Sequence, residues 1–148
     1  MKRIVYRTDD TIQVFRLGTT SNDKIEADKC YTHKFNQYVG FVSMIKSIIK
    51  EYDSFENIPT YNDDLHSQIV DICRDTYVRF GTYGEPSLHP LKLIENIVEV
   101  ASNWTGYTHQ WHRNKELSKY FMASTHTAKQ EQKARSFGYR SFVVTNDK

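Results

Sequence analysis

The second half of the chain alternates between short runs rich in β-branched and aromatic residues and longer segments with helical apolar spacing. Tyr77–Phe80 predicts a strand, and apolar residues between Leu91 and Ala101 recur three or four positions apart, as on one face of a helix. Trp104–Thr108 predicts the next strand. Because strands that alternate with helices at this spacing are typical of parallel pairing, the pattern predicts an α/β fold with a mainly parallel sheet.

The same alternation continues toward the C-terminus. Tyr120–Ala123 predicts another strand, and Thr127 with Gln130 has the spacing of a capping box that opens a helix. Gly138 is a natural helix stop because glycine adopts the left-handed conformation readily. Tyr139–Thr145 predicts the last strand. The full pattern predicts flanking helices around a sheet that resembles part of a barrel.

The first half of the chain contains a hairpin and two helices by the same criteria. Ile4–Arg7 and Thr11–Leu17 predict strands joined by a turn at Asp9–Asp10, which gives an N-terminal hairpin. Apolar residues from Phe35 to Tyr52 form a broad helical stripe, and Leu65–Cys73 predicts a shorter helix.

Length and composition are those of one ordinary globular domain covering residues 1–148. Hydrophobic residues make up 39% and no run approaches eighteen apolar residues, so neither a membrane span nor a signal peptide is expected. We therefore expect a cytoplasmic protein. Cys30 and Cys73 lack CxxC spacing, which favours two buried thiols over a disulfide in that compartment.

Polar residues collect where the predicted parallel strands end, which is where α/β folds place their functional groups. Glu85 follows one strand between a glycine and a proline, and His109 follows the next. The candidate ligand-binding residues are Gly84, Glu85, Tyr107, His109, His112 and Ser124.

Each of these residue types permits more than one role. Glu85 can hold an ammonium group or a metal, act as an acid or base, or accept hydrogen bonds from the start of the next helix. His109 and His112, together with His89 or His126, have donors for a metal, but histidines in an aromatic-rich loop are more often structural, so no metal site is predicted. Tyr107 and Trp111 can form a wall for a ring-shaped ligand or belong to the core.

Known catalytic and nucleotide-binding motifs are missing from the sequence. Cys30 lies near His33, but no third residue that would orient such a pair is recognisable. The chain lacks GxxxxGK[ST] and GxGxxG, so any nucleotide contact depends on loops or basic side chains. The sequence identifies no cofactor and leaves open whether the protein is an enzyme.

Charge is strongly segregated although the net charge is only +2. Residues 51–75 carry seven acidic side chains and one arginine, a local charge of −6. Residues 113–140 carry seven basic and two acidic side chains, a local charge of +5. Solvated helix faces are the ordinary explanation. The alternative is a surface for phosphates or an acidic partner, with nucleic acid contacted through Lys129, Lys133 and Arg135.

The run Gly84–Pro90 resembles the Gly-Glu-Pro segment of radical S-adenosylmethionine enzymes. That resemblance implies a role for Glu85 in contacting the amino group of the cofactor at the end of a barrel strand. The CxxxCxxC motif of that family is absent, so the resemblance does not extend to an iron–sulfur cluster or to radical chemistry.

A longer set of segments between Tyr77 and Val144 is similar to an uncharacterised family of bacteriophage and prophage proteins. The resemblance implies a viral accessory protein that acts in the host cell through a shared pocket for a small molecule or nucleotide. The alternative is a non-catalytic inhibitor of the anti-defence type, which binds a host protein or nucleic-acid complex. Many members carry a C-terminal cysteine cluster that this chain lacks. The matching segments are Gly81–Pro86, Thr105–Trp111, Met122–Ser124 and Gly138–Phe142.

Overall fold

The computed structural model describes residues 2–8, 11–17, 46–47, 49–54, 56–81 and 85–143. Within these residues the fold is built on a six-stranded sheet in which each strand lies beside the strand that precedes it in the chain. The first pair is antiparallel, and all later pairs are parallel. The strands are β1 (Lys2–Thr8), β2 (Thr11–Leu17), β3 (Tyr77–Phe80), β4 (Asn103–Thr108), β5 (Met122–Thr125) and β6 (Ser141–Val143).

Helices connect the parallel strands. Residues 46–47 and 49–51 also have helical backbone, and two short 3₁₀ helices follow β3 and β4. This is the predicted α/β fold, and its strand order is that of a section of a β/α barrel. The α-helices are α1 (Asp63–Cys73), α2 (Leu91–Val100) and α3 (Ala128–Ser136), and the 3₁₀ helices are Pro86–Leu88 and Glu116–Lys119.

The hydrophobic core lies on one face of the sheet. Val78 and Phe80 of β3 and Ala123 of β5 are almost fully buried there. Helix α2 packs against them because its apolar residues recur on one side, with Ile94 and Ile97 fully buried. The apolar helix face predicted between Leu91 and Ala101 is confirmed. The prediction did not include Leu93, which is also fully buried.

The predicted ends of α3 are confirmed in detail. The Thr127 hydroxyl accepts a hydrogen bond from the Gln130 N–H at 3.2 Å, and the Gln130 side chain accepts one from the His126 N–H at 2.8 Å. Gly138 has a φ of 88°, as expected for the residue that stops the helix.

Strands β5 and β6 begin later than predicted because backbone N–H groups are already committed to helices. The Tyr120 and Phe121 N–H groups both bond to the Leu117 carbonyl, so β5 begins at Met122 and extends to Thr125. The Tyr139 N–H bonds to the Ala134 carbonyl at the end of α3, so β6 begins at Ser141. The predicted end of that strand lies outside the described residues.

The predicted N-terminal strands pair as a hairpin, from Lys2 opposite Leu17 to Thr8 opposite Thr11. The predicted turn at Asp9–Asp10 and most of the Phe35–Tyr52 helix lie outside the described residues. Helix α1 begins at Asp63, two residues before the predicted start, because the Asn62 side chain accepts a hydrogen bond from the Leu65 N–H at 2.8 Å. Among the described residues, no helix combines the length and apolar character needed to cross a bilayer.

Candidate functional site

The Glu85 carboxylate links the segment after β3 to the end of β4. One oxygen, Oε1, accepts hydrogen bonds from the Ser87 N–H at 3.1 Å and from the Thr108 hydroxyl at 2.5 Å. The other, Oε2, accepts one from the His109 N–H at 2.9 Å. Glu85 therefore caps the first 3₁₀ helix, which is the structural role that the sequence allowed, while contact with a ligand stays a prediction.

Glu85 is an ionised carboxylate in a nearly dry environment. Its side chain is only 8% exposed. Burial on its own raises the pKa of the carboxyl, but the hydrogen bonds from His109, Thr108 and Ser87 outweigh burial and hold the pKa below the ordinary value of 4.5. At neutral pH the site therefore contains a fixed negative charge.

His109 lies against this charge at the carboxyl edge of the sheet. Its Nδ1 is 3.8 Å from Glu85 Oε2, and its side chain is 35% exposed. The Thr108 hydroxyl, which donates to Glu85, also accepts a hydrogen bond from the Gln110 N–H at 3.0 Å. These contacts fix the backbone on both sides of His109, so the imidazole is held where solvent reaches it.

A second imidazole stacks on the first. The His126 ring, which follows β5, lies 6.1 Å from the His109 ring between centroids with an interplanar angle of 15°. The six candidate residues did not include His126, although the sequence placed it at the same strand ends. We call Glu85, Thr108, His109 and His126 the edge cluster.

The other described candidates make contacts outside the edge cluster. Trp111 is buried and donates its indole N–H to the Ser124 carbonyl at 3.1 Å, so it belongs to the core rather than to a ligand wall. His112 is exposed and packs edge-on against Trp111, with ring centroids 5.6 Å apart. Ser124 is buried within β5, and Gly84 lies outside the described residues.

Tyr107 lies on the sheet face opposite the core. It is the register partner of Met122, and its ring packs 4.8 Å from the Phe142 ring between centroids. This face carries the side chains that alternate with the buried ones along β3 and β4. Tyr107 therefore lies outside the hydrophobic core, and its role in a ligand wall stays a prediction.

One buried acceptor lies next to the edge cluster. Gln110 Oε1 is enclosed and makes no hydrogen bond among the described residues. A group of three or more metal-binding side chains was likewise not found in the described part of the chain. The edge cluster and its surroundings therefore present imidazole and amide groups.

The basic residues of α3 are exposed. Two of them interact with another residue of the helix or with the residue that follows it. Arg135 forms an ion pair with Glu131 at 2.8 Å, and the Lys133 ammonium lies 5.9 Å from the centre of the Phe137 ring. Lys129 is also exposed.

Comparison of the chain with protein-family models, with curated proteins and with solved structures finds no match, so the interpretation of this site depends on its own geometry.

Proposed function

We propose that the carboxyl edge of the sheet binds a small ligand of the nucleotide-related class through His109 and His126. The observation that carries the proposal concerns the buried Glu85 carboxylate. It accepts a hydrogen bond from the His109 backbone N–H and lies 3.8 Å from Nδ1 of the His109 ring. In this role Glu85 is a positioning residue. The protein would act as a bacteriophage accessory protein in the cytoplasm of the host cell, as the sequence resemblance implies.

The stacked imidazoles of the edge cluster support a ligand with a flat ring, because aromatic faces stack on such rings. The Glu85 carboxylate lies 3.8 Å from Nδ1 of His109 and favours a proton on that nitrogen. An imidazole that carries a proton on both nitrogens can also donate a charge-assisted hydrogen bond to a phosphate oxygen. A phosphorylated, base-containing molecule matches both properties.

The test is native mass spectrometry of the full chain, followed by titration of inorganic phosphate and of nucleoside mono- and diphosphates, monitored by imidazole NMR signals. We expect His109→Ala and His126→Ala to weaken binding at least tenfold. His112→Ala is the matched control because it removes an exposed imidazole that lies against Trp111. Equal affinity in all three variants, with unchanged melting temperatures, would contradict the proposal.

A second function, binding of a host protein or nucleic-acid complex as a non-catalytic inhibitor, is supported by the charge segregation. All seven acidic residues between 51 and 75 and all seven basic residues between 113 and 140 are exposed. A partner that binds one surface should respond to reversal of that surface alone. We therefore compare Asp63→Lys/Asp64→Lys with Lys129→Glu/Lys133→Glu in pull-downs from host lysate. If both double variants capture the same partners as wild type, to the same extent, a charge-guided partner is excluded.

A further inference from the structure

One face of the parallel sheet is left uncovered by the described helices. The large side chains there include Tyr77, which is 58% exposed, and Phe142, which is 43% exposed. The hydrophobic core residues of β3 and β5 belong to the opposite face, whereas Ser124, the register partner of Phe142 on this face, is buried. Parallel sheets are usually covered on both faces, so exposed rings at these positions indicate a binding surface. We call Tyr77, Arg79, Thr105, Tyr107, Met122 and Phe142 the open face.

The rings of the open face form two separate platforms. Tyr77 pairs with Asn103 in register, and Tyr107 lies four residues further along β4. Four residues of strand place the two tyrosines roughly 13 Å apart along the sheet. The second platform is a ring pair, because Tyr107 and Phe142 are 4.8 Å apart between centroids.

A single cation lies between these platforms. Arg79 lies two residues after Tyr77 on β3. Its register partner on β4 is Thr105, which lies two residues before Tyr107. Among the described positions of β3 to β6 on this face, Arg79 is the one charged side chain, and no acidic residue accompanies it. The open face is therefore aromatic and positive.

We propose that the open face binds single-stranded nucleic acid. Bases stack on Tyr77 and on the Tyr107–Phe142 pair, and Arg79 contacts the phosphate between them. Stacking suits this geometry because every base has a flat apolar face, whereas the positive charge suits the backbone. A duplex hides its base faces and cannot use the platforms. This surface is distinct from the edge cluster, so its occupant does not depend on the ligand proposed above.

The test is fluorescence anisotropy of the full chain with labelled single-stranded DNA and RNA of about twelve nucleotides and with a duplex of the same length. We expect Tyr77→Ala and Phe142→Ala each to weaken single-strand binding roughly tenfold. Arg79→Gln should reduce the slope of log affinity against log salt by about 1. Ile72→Ala is the matched control because Ile72 is a 52% exposed apolar residue on α1.

Tyr77 is largely exposed, so Tyr77→Ala should keep the wild-type melting temperature, whereas Phe142→Ala also loses the ring contact with Tyr107, and the melting temperatures of both variants are measured alongside. The proposal is overturned if no single strand binds, if Tyr77→Ala and Phe142→Ala bind as tightly as wild type, or if the duplex binds equally well. It is also overturned if ultracentrifugation shows a dimer that Phe142→Ala dissolves, because a second copy of the chain would then cover the face.

Discussion

The Glu85 carboxylate accepts a hydrogen bond from the His109 backbone N–H at 2.9 Å and thereby fixes the first residue after β4 from the segment that follows β3. The two residues lie far apart in sequence, and the contact crosses from one β/α unit to the next. Loss of the negative charge should therefore affect both the stability of the sheet edge and the position of the histidine.

Replacement of Glu85 by Gln should remove a pH-dependent part of the stability. The folded pKa of Glu85 lies below the unfolded value, so its contribution is fully present above the ordinary value of 4.5 and is lost as pH falls through the folded pKa. We expect the free energy of unfolding, measured in urea, to fall more steeply with decreasing pH for wild type than for Glu85→Gln over this acidic range. Parallel curves for the two proteins would show that the charge does not stabilise the fold.

Replacement of Gly106 by Ala should destabilise the protein by about 1–3 kcal/mol through overpacking. A Cβ at this position would lie 2.7 Å from Phe121 Cδ1 and 3.2 Å from Phe80 Cβ. Both neighbours are in the core and have little room to move. Chemical denaturation measures the change, and the double variant Gly106→Ala/Phe121→Leu should recover part of the loss. An unchanged midpoint would mean that the strand shifts at no cost.

The Cys73 thiol should be unreactive in the native protein. It is fully buried at the end of α1, and burial raises its pKa to about 12. In a Cys30→Ser background we expect iodoacetamide at pH 8 to modify Cys73 only after unfolding in urea, as measured by intact mass. Rapid native labelling would reveal local opening of α1.

The Tyr139 hydroxyl should contribute about 1–2 kcal/mol by satisfying the Asn114 carbonyl, to which it donates a hydrogen bond. Burial, followed by the nearby charge of Glu85, raises the pKa of Tyr139 to about 12. We expect Tyr139→Phe to lower the melting temperature. An ultraviolet pH titration of this variant should also lack the phenol whose pKa is raised to about 12.

Tyr120→Phe is the control for this measurement, because the Tyr120 hydroxyl donates to Glu95 on the exposed surface at 3.2 Å. Equal melting temperatures for the two variants would assign no stabilising role to the buried hydroxyl.

Local sequence signals predicted much of the fold. The strand Tyr77–Phe80, the apolar stripe of α2 and the Thr127 cap depend on residues a few positions apart, and the structure confirms them. The start of β5 was placed two residues too early because the closing hydrogen bonds of a 3₁₀ helix leave no mark on hydrophobic periodicity.

The edge cluster was only partly predictable. Sequence placed Glu85 and His109 at neighbouring strand ends because the topology of parallel sheets is general. It did not show that the Glu85 oxygens are engaged by Ser87, Thr108 and His109, nor that His126 stacks on His109. Those contacts depend on the paths of loops from different units, which no local pattern encodes.

The agreement between strand order and chain order also bears on biosynthesis. Each parallel strand can dock beside the strand made just before it, so the growing chain extends the sheet at one side without waiting for a distant segment. Of the described units, the one formed by α3 and β6 is made last. A nascent chain that ends before Ala128 would therefore already contain Ser87, Thr108 and His109, the described hydrogen-bond donors to the Glu85 carboxylate.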